Sequence, residues 1–236
     1  MKLYDSIIQN TAELLRAYTP RITAYDAGKC WKDNGESELV MLRDAAFELG
    51  GSGKQSVNYT CVTGNGDAVP ADEVWVYGKP LETIRSDVSF ARIVLLAVDD
   101  LGEDEDAYNA IRRMEFVRYH VFPDGYMVRV SSESNQEQVR IAKRAVQRGI
   151  SFEAVGNAYI RKYKELPGVR HVRVIFVTDC DAIQSLIANA KKVDDITRTL
   201  THILDGLPTD CSHCDLKPVC DEVEGMRELH MGQKNK

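Results

Sequence analysis

The sequence contains no apolar run long enough to cross a membrane. The longest such stretch, residues 93–98, is far shorter than the roughly 20 apolar residues that a spanning helix needs. The first residues, MKLYD, also lack the basic region and the apolar segment of a secretion signal. We therefore expect a cytoplasmic protein that has no membrane as a partner.

An excess of positive charge is absent as well. The formal net charge is -6 and the isoelectric point is near 5.5, whereas non-specific binding to nucleic acid depends on a basic surface that neutralises phosphates. We interpret the basic residues at helical spacing near the middle of the chain as the solvated face of a helix. They are Arg140, Lys143, Arg144 and Arg148. Nucleic acid is therefore not expected as a partner.

Disulfide bonds are not expected either, although the chain has six cysteines, because the cytoplasm keeps thiols reduced. Three of the cysteines fall within ten residues near the C-terminus: Cys211, Cys214 and Cys220. The other three are isolated along the chain: Cys30, Cys61 and Cys180. Such a cluster in a reducing compartment indicates a metal-binding site.

The pattern of apolar residues predicts an α+β fold with a mixed β-sheet, flanking helices and a C-terminal cysteine-rich metal-binding tail. Helical spacing predicts helices over 5–18, 37–49, 103–119, 134–148, 151–167 and 181–204. Runs of β-branched and aromatic residues predict strands over 57–63, 74–77, 90–98, 126–131 and 169–177. We expect antiparallel pairing in the first half and a parallel pair, 126–131 with 169–177, in the second. In the last strand, Arg170 and Arg173 are expected to face solvent.

Three units are predicted along the chain. Residues 1–35 form an N-terminal helix and a connection, residues 36–205 form the α+β core domain, and residues 206–236 form the metal-binding tail. A chain of 236 residues is long enough to bury a core without help from a metal. The predicted metal therefore has a role other than holding the core together.

The tail has the pattern C-x2-C-x5-C, and nine further residues separate Cys220 from His230. A C-x2-C pair brings two thiolates from one tight turn onto a single ion or cluster. His230 is the leading candidate for the fourth ligand. The alternatives are His213, Cys30, Cys61 and Cys180. Three cysteines with one histidine suit structural zinc, whereas iron–sulfur clusters prefer four thiolates, so the spacing alone leaves zinc slightly ahead.

Several segments carry a family resemblance when they are read in order. They are residues 76–84 (VYGKPLETI), 111–114 (IRRM), 142–152, 172–179 (VRVIFVTD) and the cysteine tail. From about Glu38 onward, their order and spacing resemble the middle of the acetyl-CoA synthase (beta) subunit of carbon monoxide dehydrogenase/acetyl-CoA synthase. That enzyme joins a methyl group, carbon monoxide and coenzyme A.

The resemblance implies a ligand set and a cofactor. In the family, cysteines at this place bind the cubane part of a nickel–iron–sulfur active site, the A-cluster. Cys211, Cys214 and Cys220 match the first three family cysteines, and His230 stands at the interval of the fourth. The resemblance therefore implies a 4Fe-4S cluster bound by these four residues, with nickel as a lesser expectation and zinc as the alternative.

The implied function is that of an iron–sulfur-binding accessory or split component in one-carbon metabolism, with other protein subunits of a similar complex as partners. The sequence ends at Lys236, before the family's region that completes the nickel site, so we expect no complete acetyl-CoA synthesis by this chain alone and assign no catalytic residue. Residues 125–129 replace a tryptophan-containing family segment, which argues against coenzyme A contact there, whereas Arg112 and Arg113 match the family. The alternatives are a zinc-stabilised, non-catalytic interaction module and, less favoured, a small electron-transfer protein.

Overall fold

The computed structural model describes residues 2–99, 101, 105–131, 136–178, 180–204 and 214–222. Helices within these residues are α1 (Asp5–Leu15), α2 (Glu105–Phe116), α3 (Lys143–Gln147), α4 (Phe152–Tyr163), α5 (Ala182–Leu204) and α6 (Lys217–Glu222). The strands are β1 (Arg21–Ala24), β2 (Ala45–Leu49), β3 (Ser56–Thr63), β4 (Glu73–Gly78), β5 (Phe90–Val98), β6 (Tyr126–Val130), β7 (Glu137–Ala142) and β8 (Val169–Thr178). The predicted α+β class is confirmed.

The larger sheet is mixed and has five strands in the order β1-β4-β8-β5-β3. Its central pair, β5 and β8, is antiparallel, whereas β3 pairs in parallel with β5 and β4 in parallel with β8. The antiparallel pairing expected between strands of the first half is therefore wrong for β3 and β5. The chain between them is long enough to cross over, and it forms β4 on the far side of β8.

A second, antiparallel sheet has the order β2-β7-β6 and contains two segments that we predicted as helices. The helix predicted over 37–49 is wrong, because the leucines that gave it helical spacing do not share a buried face. Leu39 is 73% exposed and Leu42 is 66% exposed, whereas Leu49 is buried. Pairing of β2 with β7 provides the burial that a helix would have had to find elsewhere.

The helix predicted over 134–148 is also wrong for most of its length. Residues 137–142 form β7, and only the last part of the segment is helical, as α3. The burial of β7 alternates along most of its length, which is the two-residue period of a strand. The parallel pair expected between 126–131 and 169–177 is absent from the described strands, because β6 and β8 belong to different sheets.

Helix α4 covers one face of the larger sheet. It begins after Ser151, whose side chain caps it by accepting a hydrogen bond from the backbone at 3.1 Å. The ring of Phe152 stacks on that of Phe176 with centroids 4.7 Å apart. Gly156 lies so close to β4 that a Cβ atom there would come within 2.6 Å of Val74. The backbone of the helix therefore packs directly on the side chain of Val74.

Helices α1 and α5 cover part of the opposite face, over β3. The hydroxyl oxygens of Thr11 on α1 and Tyr59 on β3 lie 2.7 Å apart. The amide nitrogen of Asn189 on α5 donates to Thr11 at 3.1 Å. These buried polar side chains satisfy one another where the two helices meet the sheet.

A buried ion pair links the two sheets. Arg92 on β5 and Glu137 on β7 are each 2% exposed, and Nη2 of the arginine lies 2.5 Å from Oε2 of the glutamate. The hydroxyl of Tyr159 on α4 accepts a further hydrogen bond from Arg92. The buried guanidinium of Arg92 therefore joins β5, β7 and α4.

Two expectations concern the chain as a whole. Across the part of the chain that the structure describes, none of the helices has both the length and the apolar character of a membrane span. The division into three units at 1–35, 36–205 and 206–236 stays a prediction.

Candidate metal centre

The described part of the tail is residues 214–222, which we call the cysteine segment. The carbonyl oxygen of Cys214 accepts a hydrogen bond from the N–H of Lys217 at 3.0 Å, at the start of α6. Leu216 is buried, and its carbonyl oxygen accepts from the N–H groups of Val219 at 3.0 Å and Cys220 at 3.3 Å. Helix α6 contacts α5. The segment thus holds two predicted ligands on either side of one buried leucine.

The residues present in the cysteine segment fit a thiolate-bound metal. Cys214 and Cys220 are both partly exposed, so an ion or a cluster can reach their sulfur atoms. Thiolate sulfur is the preferred donor for both zinc and iron–sulfur clusters. Cys211, His213 and His230 lie outside the described residues, so the ligand set of Cys211, Cys214, Cys220 and His230 stays a prediction. Within the described ranges, no group of three histidine, cysteine or acidic residues is placed to hold a metal.

The isolated cysteines differ in their suitability as a fourth ligand. Cys61 on β3 is fully buried, and burial together with the nearby Glu115 charge raises the pKa of its thiol well above the ordinary value. Because only the thiolate binds metal, this position argues against Cys61. Cys30 and Cys180 are partly exposed, although burial also raises the pKa of Cys30. Exposure therefore argues less against Cys30 and Cys180 than against Cys61 as alternatives to His230.

A cavity of about 360 Å³ lies beside β6, in the segment that replaces the family's tryptophan. It is lined by aromatic side chains and by two arginines, which already have carboxylate partners. Nε of Arg118 lies 3.5 Å from Oε1 of Glu137, and Nη2 of Arg129 lies 2.8 Å from Oε2 of Glu48. Both arginines of this cavity are therefore paired within the fold, and coenzyme A contact there stays untested.

The two family-matching arginines lie on α2 and are exposed. Arg112 and Arg113, with Asn109 and Phe116, line a shallow depression of about 500 Å³. Nε of Arg113 donates to the carbonyl oxygen of Asn109 at 3.2 Å. Neither arginine forms an ion pair with a carboxylate that the structure describes. This depression, which we call the α2 patch, is therefore a positively charged surface open to solvent.

The basic residues interpreted as a solvated helix face have a different arrangement. Arg140 belongs to β7, and its Nε lies 2.5 Å from Oε1 of Glu48. Arg144 and Arg148 both donate to the carboxylate of Asp124. Burial alone would raise the pKa of Asp124, but these two arginines and Asn34 lower it to about 2. These three arginine side chains therefore form ion pairs within the fold.

Sequence reasoning missed the buried charges of the larger sheet. Arg173, expected to face solvent, is only 9% exposed and pairs with Glu73 at 3.2 Å. Arg92 stands within an otherwise apolar strand, and Arg173 lies between Val172 and Val174. A cation inside an apolar run is the sequence signal that could have indicated both, because such a residue is almost never buried without a partner.

The comparisons with known proteins agree with the resemblance read from the sequence. The family model described as the CO dehydrogenase/acetyl-CoA synthase complex beta subunit matches residues 33–183. The match is well over half of the 236 residues and spans the strands β2 to β8. The curated proteins contain no match to the chain. The matched region ends before the cysteine segment, so the family match does not extend to the predicted ligands.

Proposed function

The chain belongs to the family of the CO dehydrogenase/acetyl-CoA synthase complex beta subunit, and from this premise we propose that it is an iron–sulfur-binding accessory or split component of such a complex, acting in carbon monoxide and acetyl-CoA metabolism. The observation that carries the proposal is the cysteine segment, which follows the matched region after the single helix α5. Its two cysteines, Cys214 and Cys220, are partly exposed, and Leu216 between them is buried.

The cluster would be a 4Fe-4S cluster held by Cys211, Cys214, Cys220 and His230. When bound, it would supply a centre for electron transfer or for attachment of a further metal. The chain's own part is to deliver deprotonated thiols to one place, since only thiolates bind. Leu216 would contribute to this placement by holding the backbone between the second and third ligands. A reducing compartment such as the cytoplasm belongs to the proposal, because exposed thiols would otherwise oxidise.

Other protein subunits are the proposed partners, and the α2 patch is the surface that supports this. Arg112 and Arg113 lie beside Phe116, which is 48% exposed. Arginine and aromatic side chains are enriched at the energetic centres of protein interfaces. A partner surface bearing carboxylates would pair with these arginines, which no described acidic residue neutralises.

A zinc-stabilised, non-catalytic interaction module is the second candidate. Three cysteines and one histidine form a common ligand set of structural zinc. The spacing C-x2-C-x5-C, followed by His230, taken alone leaves zinc slightly ahead. The two functions differ in which metal is bound and in the presence of inorganic sulfide.

Ligand variants test the proposed centre. The metal content of anaerobically purified protein should fall by most of its value in Cys214→Ser, because a hydroxyl replaces a thiolate. It should stay unchanged in Asp215→Asn, a matched change at an exposed neighbour. If Cys214→Ser kept the full metal content of the unmodified protein, the proposed metal centre would be wrong. His230→Ala should weaken metal retention, and unchanged retention would assign the fourth position to another residue such as Cys180.

A further inference from the structure

A second cavity, which we call the α1 cavity, lies between α1 and the larger sheet, apart from the cysteine segment. Its volume is about 500 Å³, within the range of small-molecule pockets. The walls are mostly apolar and aromatic. Ile8 and Leu15 contribute from α1, Trp75 and Tyr77 from β4, and Ile175 from β8.

The cavity exists because the helices leave part of this sheet face uncovered. Helices α1 and α5 lie over β3, whereas the cavity-lining side chains of β4 and β8 lie on the same face beside α1. At the adjoining edge, Ile22 on β1 stands opposite Trp75 in the register and is 53% exposed. Trp75 is partly exposed beside the cavity, whereas Tyr77 and Ile175 are buried at its base.

One buried cation lies in the wall of the α1 cavity. The guanidinium of Arg173 donates from Nη1 to the carbonyl oxygen of Ala68 and from Nη2 to Glu73, each at 3.2 Å. Its carbon atom Cζ lies 4.1 Å from the ring centroid of Trp75. Its Nε is buried and has no acceptor among the described residues. The guanidinium therefore has unused hydrogen-bonding capacity.

The charge of Arg173 is only partly compensated. Oε2 of Glu73, its partner, also accepts a hydrogen bond from Nε1 of Trp75 at 2.9 Å. Burial lowers the pKa of Arg173, and Glu73 offsets this only in part. Arg92, on the opposite face of the sheet, differs: burial alone would lower its pKa, but the Glu137 charge raises it overall.

We propose that the α1 cavity binds a small organic carboxylate with an apolar body, whose carboxylate lies at Arg173 and whose body lies against Trp75 and Tyr77. An arginine fork binds a carboxylate through two hydrogen bonds. Asp5 also lines the cavity, with its carboxylate held by the hydroxyl of Thr63 at 2.7 Å. Because like charges repel, Asp5 directs the ligand's carboxylate toward Arg173.

The experiment uses the full chain and two pairs of probes. The aromatic pair is 3-phenylpropionate and its neutral amide, and the aliphatic pair is octanoate and octanamide. Saturation-transfer NMR and calorimetric titration measure binding. We expect at least one carboxylate to bind saturably, and to bind about tenfold or more tightly than its amide, because hydrogen bonds to a charged group are stronger than those between neutral groups. The carboxylate that binds more tightly shows whether the apolar body of the ligand is aromatic or aliphatic.

Variants locate the binding. Ala12 lines the cavity and is exposed, so Ala12→Phe should fill the space without disturbing the sheet and should weaken binding at least tenfold. Glu13→Phe, on the exposed side of the same helix, is the matched control and should leave binding unchanged. In Arg173→Met, acid and amide should bind equally. Absence of saturable carboxylate binding, or full affinity in Ala12→Phe, would overturn the proposal.

Discussion

The body of the chain and the cysteine segment are held by very different amounts of burial. Both sheets and the helices α1 to α5 contribute to one buried apolar cluster, whereas the segment contributes a single buried side chain, Leu216. Val219 and Cys220 pack against the cluster but are only partly buried. The body is therefore expected to fold without metal, while a bound metal would add substantially to the order of the segment.

The largest expected effect comes from breaking the buried ion pair of the body. Glu137→Gln leaves the Arg92 guanidinium, which is 2% exposed, without a charged partner. Loss of one partner of a buried pair costs about 3–5 kcal/mol. Urea denaturation should show this loss, and the metal bound per folded chain should not change.

A double variant serves as the control for the ion pair. Arg92→Met with Glu137→Leu removes both charges and should recover most of the stability, since apolar replacement of a buried pair is often close to neutral. If Glu137→Gln alone unfolds at the same urea concentration as the unmodified chain, the pair does not hold the two sheets together.

A smaller loss is expected where α4 contacts the sheet. In Gly156→Ala the new methyl group would lie 2.6 Å from one methyl of Val74 and 2.7 Å from the other. Overpacking of this kind costs about 1–3 kcal/mol, and the helix propensity of alanine returns at most about 1 kcal/mol. Thermal and urea unfolding should show a net loss. Addition of Val74→Ala should reverse part of it, and no reversal would contradict a steric cause.

A still smaller effect concerns pH. Burial raises the pKa of Glu115, against the opposing hydrogen bond from Thr197 and the charge of Arg118, while Asp194 adds to the rise. The folded chain then binds more protons than the unfolded chain, so stability falls as pH rises from about 4.3, the ordinary value for glutamate, through the raised pKa. Glu115→Gln should remove this slope and be the more stable form at pH 7. Parallel pH profiles of the two proteins would contradict the assignment.

The smallest effect on the body is expected from Leu216→Ala. The cost should fall on local opening of the cysteine segment rather than on global unfolding. Hydrogen exchange of the amides in residues 217–222 should accelerate, metal retention should weaken, and the urea midpoint of the body should stay the same. A loss of about 2–5 kcal/mol in global stability, typical of a core leucine, would instead show that the segment unfolds together with the body.

The sequence predicted the elements whose burial follows their local pattern. The continuous apolar run of residues 90–98 is β5 as expected, and Ser151 caps α4 where the sequence places a helix start. The sequence-based prediction failed where strand pairing, rather than the local pattern of residues, determines the secondary structure. Residues 45–49 and 137–142 have spacings compatible with helices, but pairing between them makes strands, because cross-strand partners such as Arg140 and Glu48 satisfy each other.

The candidate site was predictable to a different degree. The order of short motifs indicated the family that the match over 33–183 shows. Thiol spacing predicts the metal centre, which stays a prediction. The α1 cavity could not be predicted, because it depends on which half of a sheet face the helices leave open. Arg173 gave a signal as a cation between two valines, but its partner Glu73 lies on another strand, β4.

The central claim is that the cysteine tail binds an iron–sulfur cluster. Iron, zinc and acid-labile sulfide should be quantified per chain in protein purified without oxygen, together with its visible absorption. We predict a brown protein with about four irons and about four sulfides per chain. A colourless protein with about one zinc and no sulfide would contradict the claim and favour the zinc-stabilised interaction module.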